Sequence, residues 1–156
     1  MPKIALDRKV PDFTLPTTGS PETWSLKQAA GRKLVIFFYP KDMTSGCTLE
    51  AQGFRDHLAA FRKAGTAIVG ISRDSLASHE KFCLKEKLPY PLLSDADEKV
   101  CRLFAVIQEK SLYGRKYMGI ERSTFLVDAA GVLRREWRKV KVNGHVEEVL
   151  EAAKSL

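Results

Sequence analysis

One cysteine of this chain stands where a thiol can do chemistry. Cys47 closes the stretch Pro40-Lys41-Asp42-Met43-Thr44-Ser45-Gly46-Cys47, which follows the apolar run Leu34-Val35-Ile36-Phe37-Phe38-Tyr39 and opens into a helical pattern. The spacing places the thiol in the first turn of a helix, at the end of a buried strand. Unpaired backbone N–H groups and the helix dipole favour negative charge there, and the thiolate is the nucleophilic form of cysteine. A free cysteine, with a pKa near ~8.5, supplies only a few per cent of that form at neutral pH. The segment is therefore read as a reactive cysteine.

The remaining sulfur and imidazole groups do not suggest a metal centre. Cys83 and Cys101 complete the cysteines, His57, His79 and His145 are the histidines, and no C-x-x-C pair occurs. His79 and Cys83 stand at i, i+4 on an expected helix, but no second pair supplies the four ligands that zinc prefers. Cys101 sits among Val100, Leu103 and Phe104, as a buried structural thiol would. Cys83 has His79 and Glu86 as its helical neighbours, which puts it on a polar margin open to solvent and to Cys47.

The elements that must position these groups follow from pattern. Lys9 to Leu26 carries Pro11, Pro16, Gly19 and Pro21 among short β-prone pieces, which predicts an N-terminal hairpin and then a short helical turn to Gly31. Lys33 to Tyr39 reads as a central strand covered on both faces, and Pro40 ends it. Leu49, Phe54, Leu58 and Phe61 give one helix from Cys47 to Gly65. Ala67 to Ser72 is a second buried strand, and Asp74 or Ser75 caps a helix running to about Lys87. Leu92-Leu93-Ser94 is extended, Asp97 to Phe104 is a short helix, and Ala105 to Gly119 is expected to be a long loop. Thr124 to Val127 and Val132 to Val140 form a hairpin, and Val146, Val149 and Leu150 mark a closing helix. This order gives a βαβ unit followed by antiparallel strands: a mixed α/β sheet between helix layers, consistent with a thioredoxin-like fold bearing an N-terminal β-hairpin extension.

Bulk properties narrow the class. With 156 residues and 44% hydrophobic content, one core and a single domain over 1–156 are expected. The first residues lack the apolar region of a secretory signal, and the longest apolar run is far short of a membrane span. Few, scattered cysteines do not make a secreted disulfide scaffold, so a soluble, cytoplasmic protein is expected. The net charge of +7 is densest over Arg134-Arg135-Glu136-Trp137-Arg138-Lys139-Val140-Lys141, read as a strand with one solvated basic face. No phosphate loop, stacking platform or basic helix accompanies it, so no nucleic-acid partner is expected.

Phe38-Tyr39-Pro40-Lys41-Asp42-Met43-Thr44-Ser45-Gly46-Cys47-Thr48-Leu49-Glu50 resembles the active-site stretch of peroxiredoxins, specifically the PrxQ (bacterioferritin comigratory protein) subfamily. Val10 to Pro16, Leu92 to Asp95 and Gly119 to Asp128 are similar to further segments of that family, in the same order. The resemblance implies a thioredoxin-like thiol peroxidase, without cofactor or metal, that reduces hydrogen peroxide and organic hydroperoxides. By motif position it implies Cys47 as the peroxidatic cysteine, with Pro40, Thr44 and Arg122 as its partners. Ser45 stands where many members carry proline, and Gln52 where many carry a second cysteine.

Arg122 suits the chemistry because it stays charged and presents a planar fork of donors. With the Thr44 hydroxyl and the Gly46 and Cys47 N–H groups, it is placed to hold both peroxide oxygens; Glu50 is placed to fix a second arginine or the Arg122 fork. Gly46 is read as giving substrate close access to the backbone, and Pro40 as shielding the sulfur. Attack on peroxide makes a Cys47 sulfenic acid, which a second thiol condenses with. Members that lack the nearby second cysteine often carry the resolving one on the later helix, so Cys83 is the expected partner. That implies an intramolecular Cys47–Cys83 disulfide formed with local unwinding, recycled by thioredoxin, in a monomer. The alternatives are a one-cysteine peroxidase resolved by an external thiol, and a redox sensor that does not turn over.

Overall fold

The computed structural model describes residues 3–19 and 22–156. Lys33–Phe38 (β3) is the centre of a five-stranded sheet, and every one of its side chains from Leu34 onward is apolar and buried. Its parallel neighbour is Thr66–Ser72 (β4), with Leu92–Ser94 (β5) beyond; on the other side lie antiparallel Ser123–Val127 (β8) and Leu133–Trp137 (β9). The expected N-terminal hairpin is Thr14–Pro16 (β1) on Thr23–Ser25 (β2), followed by a 3-10 turn over Leu26–Ala29. Pro21, read as part of its connection, lies outside the described residues.

Side chains of a strand alternate between faces, so β3 divides the interior into two cores. Leu34, Ile36 and Phe38 join Phe13, Trp24, Phe104 and Phe125 on one side. Val35, Phe37 and Tyr39 face Phe54, Phe61, Phe82 and Val149 on the other. The second core is roofed by Ser45–Asp56 (α1), Leu58–Lys63 (α2), Leu76–Glu86 (α3) and His145–Ser155 (α5). Phe37 and Phe54 stack with centroids 4.7 Å apart. That stack needs Gly70 on β4, where a Cβ would stand 2.7 Å from Phe37 Cζ.

Three expectations need correction. The helix expected to run from Cys47 to Gly65 begins at Ser45 and is interrupted at His57, whose ring nitrogen Nδ1 meets the Gly53 carbonyl at 2.9 Å. The expected loop from Ala105 to Gly119 is an antiparallel hairpin, Ile107–Leu112 (β6) on Arg115–Ile120 (β7), after the short helix Lys99–Leu103 (α4). Its turn is Tyr113-Gly114, with φ of 51° and 78°, the left-handed pair that tight two-residue hairpins require. The hairpin escapes a reading by apolar alternation because most of its side chains are exposed. The basic stretch after Arg134 is likewise strand only to Trp137.

Candidate active site

Where β3 ends, the chain turns out of the sheet through Pro40 and a loop to Thr44. Met43 holds a left-handed φ of 65°, which a non-glycine residue adopts only under local constraint. Thr44 is extended and precedes α1; its hydroxyl donates to Lys41 O at 2.8 Å and leaves the helix end uncapped. The first bond of the helix is Thr48 N–H to Thr44 O at 2.9 Å. The Gly46 and Cys47 N–H groups lie ahead of it, among the donors that a helix N-terminus cannot satisfy internally. Cys47, the third residue of α1, is buried to 1% exposure.

Arg122, at the junction of β7 and β8, spans this site. Its Nη2 donates to Cys47 Sγ at 3.3 Å and its Nη1 to Glu50 Oε1 at 2.7 Å. Glu50 is one turn after Cys47 on the same face of α1, which is why one guanidinium meets both. The close neighbour of Gly46 is also this fork: a Cβ there would lie 3.2 Å from Arg122 Nη2. Burial works against the Arg122 charge, but Glu50 and Cys47 hold the guanidinium more firmly protonated than usual. Burial pushes the Glu50 carboxyl up to about 7 despite the neighbouring Arg122 charge. Glu50 Oε2 has no hydrogen-bond partner among the described residues.

The other two cysteines part company. Cys101 is fully buried in the core on the opposite face of the sheet from Cys47, and burial with the nearby Asp95 raises its thiol far above the usual range. Cys83 packs against the same core as Cys47 and is half-buried. Its Sγ donates to Thr18 Oγ1 at 3.7 Å, and burial holds the thiol above its usual range. The two sulfurs thus make their contacts in different places, one on Arg122 and one on Thr18. Gln52, at the position where a second cysteine is common in the resembling family, donates to Glu86 Oε1 at 2.7 Å and so ties α1 to α3. His79 and Cys83 do not form a ligand pair, because both ring nitrogens of His79 are engaged by Asp42 and Leu93 O.

The structure thus brings Cys47, Glu50, Arg122 and Gly46 into contact, flanked in the chain by Thr44 and Pro40. Two features escape the sequence reading. Lys110 of β6 is half-buried near the site, and burial with the Arg122 charge holds its amine below the lysine range. Asp42, inside the active-site stretch, is buried against His79 of α3; only its position between Pro40 and Cys47 hinted at a role.

Comparison with known proteins is consistent with this geometry. The AhpC/TSA family pattern matches residues 6–136. A putative peroxiredoxin bcp of Coxiella burnetii is 50% identical over 147 residues, 94% of this chain and 97% of its own. A solved structure of Xanthomonas campestris peroxiredoxin Q superimposes with a TM-score of 0.87 at 50% identity, over 92% of this chain and 90% of that one. That protein has also been solved as two single cysteine-to-serine mutants, at positions as far apart in sequence as Cys47 and Cys83. A cysteine-to-serine mutant of Xylella fastidiosa PrxQ gives a TM-score of 0.91 at 38% identity, over 97% of this chain and 96% of that one. With a thioredoxin-like fold and a cysteine at the mouth of a helix under an arginine fork, the chain belongs to the AhpC/TSA family and is a peroxiredoxin of the Bcp/PrxQ type, a thiol peroxidase.

Proposed function

We propose that Cys47 reduces hydrogen peroxide and organic hydroperoxides and that Cys83 then resolves it within the same chain. The observation that carries the first half is the fork of Arg122 on Cys47 Sγ and Glu50 Oε1. The Cys47 thiolate attacks one peroxide oxygen in line, the O–O bond breaks, and the other oxygen leaves as hydroxide or alkoxide and takes up a proton. Sulfur loses two electrons and becomes the sulfenic acid. Arg122 and the Gly46 and Cys47 N–H groups stabilise the developing oxygen charge. Thr44 has committed its proton to Lys41 O, so it serves the peroxide as an acceptor from the O–H. Pro40 walls the sulfur from bulk water. No cofactor or metal enters these steps.

In the second half Cys83 sulfur attacks the sulfenic sulfur, a Cys47–Cys83 disulfide forms and water leaves. Its place in the same core as Cys47, with Cys101 across the sheet, supports this choice. So does the spacing of the two cysteines mutated in the Xanthomonas campestris protein. The two sulfurs rest on different partners, so disulfide formation entails unwinding at the first turn of α1 and around Cys83. A dithiol protein of the thioredoxin class then returns both thiols, which places the work in a reducing compartment such as the cytoplasm. Both cysteines sit on one chain, so a monomer suffices.

The engagement of Cys83 with Thr18 favours a second reading, in which an external thiol such as glutathione resolves Cys47. Cys83→Ser separates the two. The main reading expects loss of turnover with thioredoxin by about a hundredfold or more while one equivalent of peroxide still oxidises Cys47; turnover near that of the parent protein favours the external thiol. Cys101→Ser leaves thioredoxin-linked turnover intact in both readings.

A further inference from the structure

A cluster of buried polar side chains takes no part in the proposed chemistry, yet it joins the two segments that must move. Asp42 lies in the loop that carries Cys47 and is 5% exposed. Its Oδ1 accepts from Tyr39 Oη at 2.6 Å, and its Oδ2 from Ser78 Oγ at 2.8 Å and His79 Nδ1 at 2.7 Å. His79 is fully buried, and its Nε2 donates to Leu93 O at 3.0 Å. Both ring nitrogens are therefore engaged, one by the peroxidatic loop and one by β5. Burial opposes charge on Asp42, but the bonds from His79, Tyr39 and Ser78 hold its carboxyl below the usual range. Asp74 extends the cluster, accepting from Asp42 N–H at 2.9 Å and Ser72 Oγ at 2.6 Å.

The placement is what makes this more than a satisfied core. Tyr39 directly follows the central strand β3 and Leu93 lies within β5, both held by the sheet, whereas Asp42 precedes Cys47 on the peroxidatic loop. Ser78 and His79 stand on α3, with His79 one turn before Cys83. The far end of α3 is pinned to α1 as well, by Gln52 on Glu86 Oε1 and by Arg55 Nη1 on Glu86 O, each at 2.7 Å. A disulfide needs its Cα atoms within about 7 Å and a specific torsion, so Cys47 must leave Arg122 and Cys83 must leave Thr18. The segments that carry them are held together by Asp42 and His79.

We propose that the Asp42–His79 pair is a latch: it positions the peroxidatic loop against the Cys83 helix in the dithiol protein and is broken in the disulfide. This rests on the reading of Cys83 as the resolving thiol. The latch stabilises the reduced fold, and its strength sets how readily Cys83 reaches the sulfenic acid before a second peroxide oxidises that acid to sulfinic acid. Asp42 and His79 are positioning residues, remote from the reacting oxygens.

The test is the equilibrium of the full-length protein with a graded dithiothreitol redox buffer, the Cys47–Cys83 link being read by peptide mass spectrometry. Asp42→Asn and His79→Asn are expected to favour the disulfide about tenfold or more, a potential about 30 mV more negative. The double variant shifts no further than either single one, since both break one contact. Ser78→Ala removes a single uncharged donor to Asp42; it shifts the equilibrium in the same direction by less, and it decides the matter if the charged-site variants do not fold. Folded latch variants with the parent potential, or a more positive one, overturn the latch while the resolving assignment stands. A parent protein that forms no Cys47–Cys83 link overturns the resolving assignment, and the latch with it.

Discussion

Glu50 Oε1 lies 2.7 Å from Arg122 Nη1 in a contact where Glu50 is fully buried and Arg122 partly so, and Glu50 Oε2 has no hydrogen-bond partner among the described residues. The carboxyl is thus half satisfied. Burial pushes it up from an ordinary 4.5 to about 7, against the pull of Arg122. Between those two values the native protein keeps a proton on Glu50 that the unfolded chain releases. Stability at this group is therefore fully present below the lower value and declines as pH rises to the higher one, by about 3 kcal/mol at most. Glu50→Gln keeps the acceptor and abolishes the titration. Urea unfolding at several pH values is expected to show the decline in the parent protein and a flatter profile in the variant; equal slopes contradict the assignment.

Arg122 is asked for two things at once, charge beside sulfur and a fork that reaches Glu50. Arg122→Lys keeps the charge and loses the fork. Arg122→Ala loses both and leaves Glu50 buried without its cation. Stopped-flow oxidation of Cys47 by hydrogen peroxide is expected to slow by roughly a hundredfold or more in the alanine variant. Lysine is expected to recover only part of that loss. Full recovery by lysine would show that charge alone matters.

Gly70 is a packing constraint remote from the chemistry. An added Cβ would stand 2.7 Å from Phe37 Cζ and 2.8 Å from Leu92 Cδ2, both in the core beneath α1. Gly70→Ala is expected to cost about 1–3 kcal/mol in denaturant unfolding, as overpacking does. An unchanged midpoint contradicts the packing described.

The parts of the fold legible in the sequence are those whose residues report their own burial. Leu34 to Tyr39 is apolar at every position because β4, β8 and two cores enclose it, and Ser75 caps α3 with its own side chain, accepting from Ser78 N–H at 3.2 Å. The β6–β7 hairpin gives no such signal: its faces are mostly solvent-exposed, and the turn residues Tyr113-Gly114 are the sole local mark. The site divides in the same way. Cys47 and Glu50 share a helix face by spacing alone, whereas Arg122 is tied to them by family resemblance and then by contact. Asp42 and His79 are legible only in three dimensions, because a carboxylate in a loop and a histidine on a helix look like ordinary polar residues until the fold buries them together.

The central claim is that Cys47 is oxidised by peroxide and resolved by Cys83. Its most direct test is to treat the fully reduced protein with one equivalent of hydrogen peroxide and map all three cysteines by peptide mass spectrometry. The prediction is a Cys47–Cys83 disulfide with Cys101 left as a free thiol. A Cys47–Cys101 link, or a Cys47 sulfenic or sulfinic acid beside a free Cys83, would contradict the resolving step, and a Cys47 that stays reduced would contradict the account as a whole.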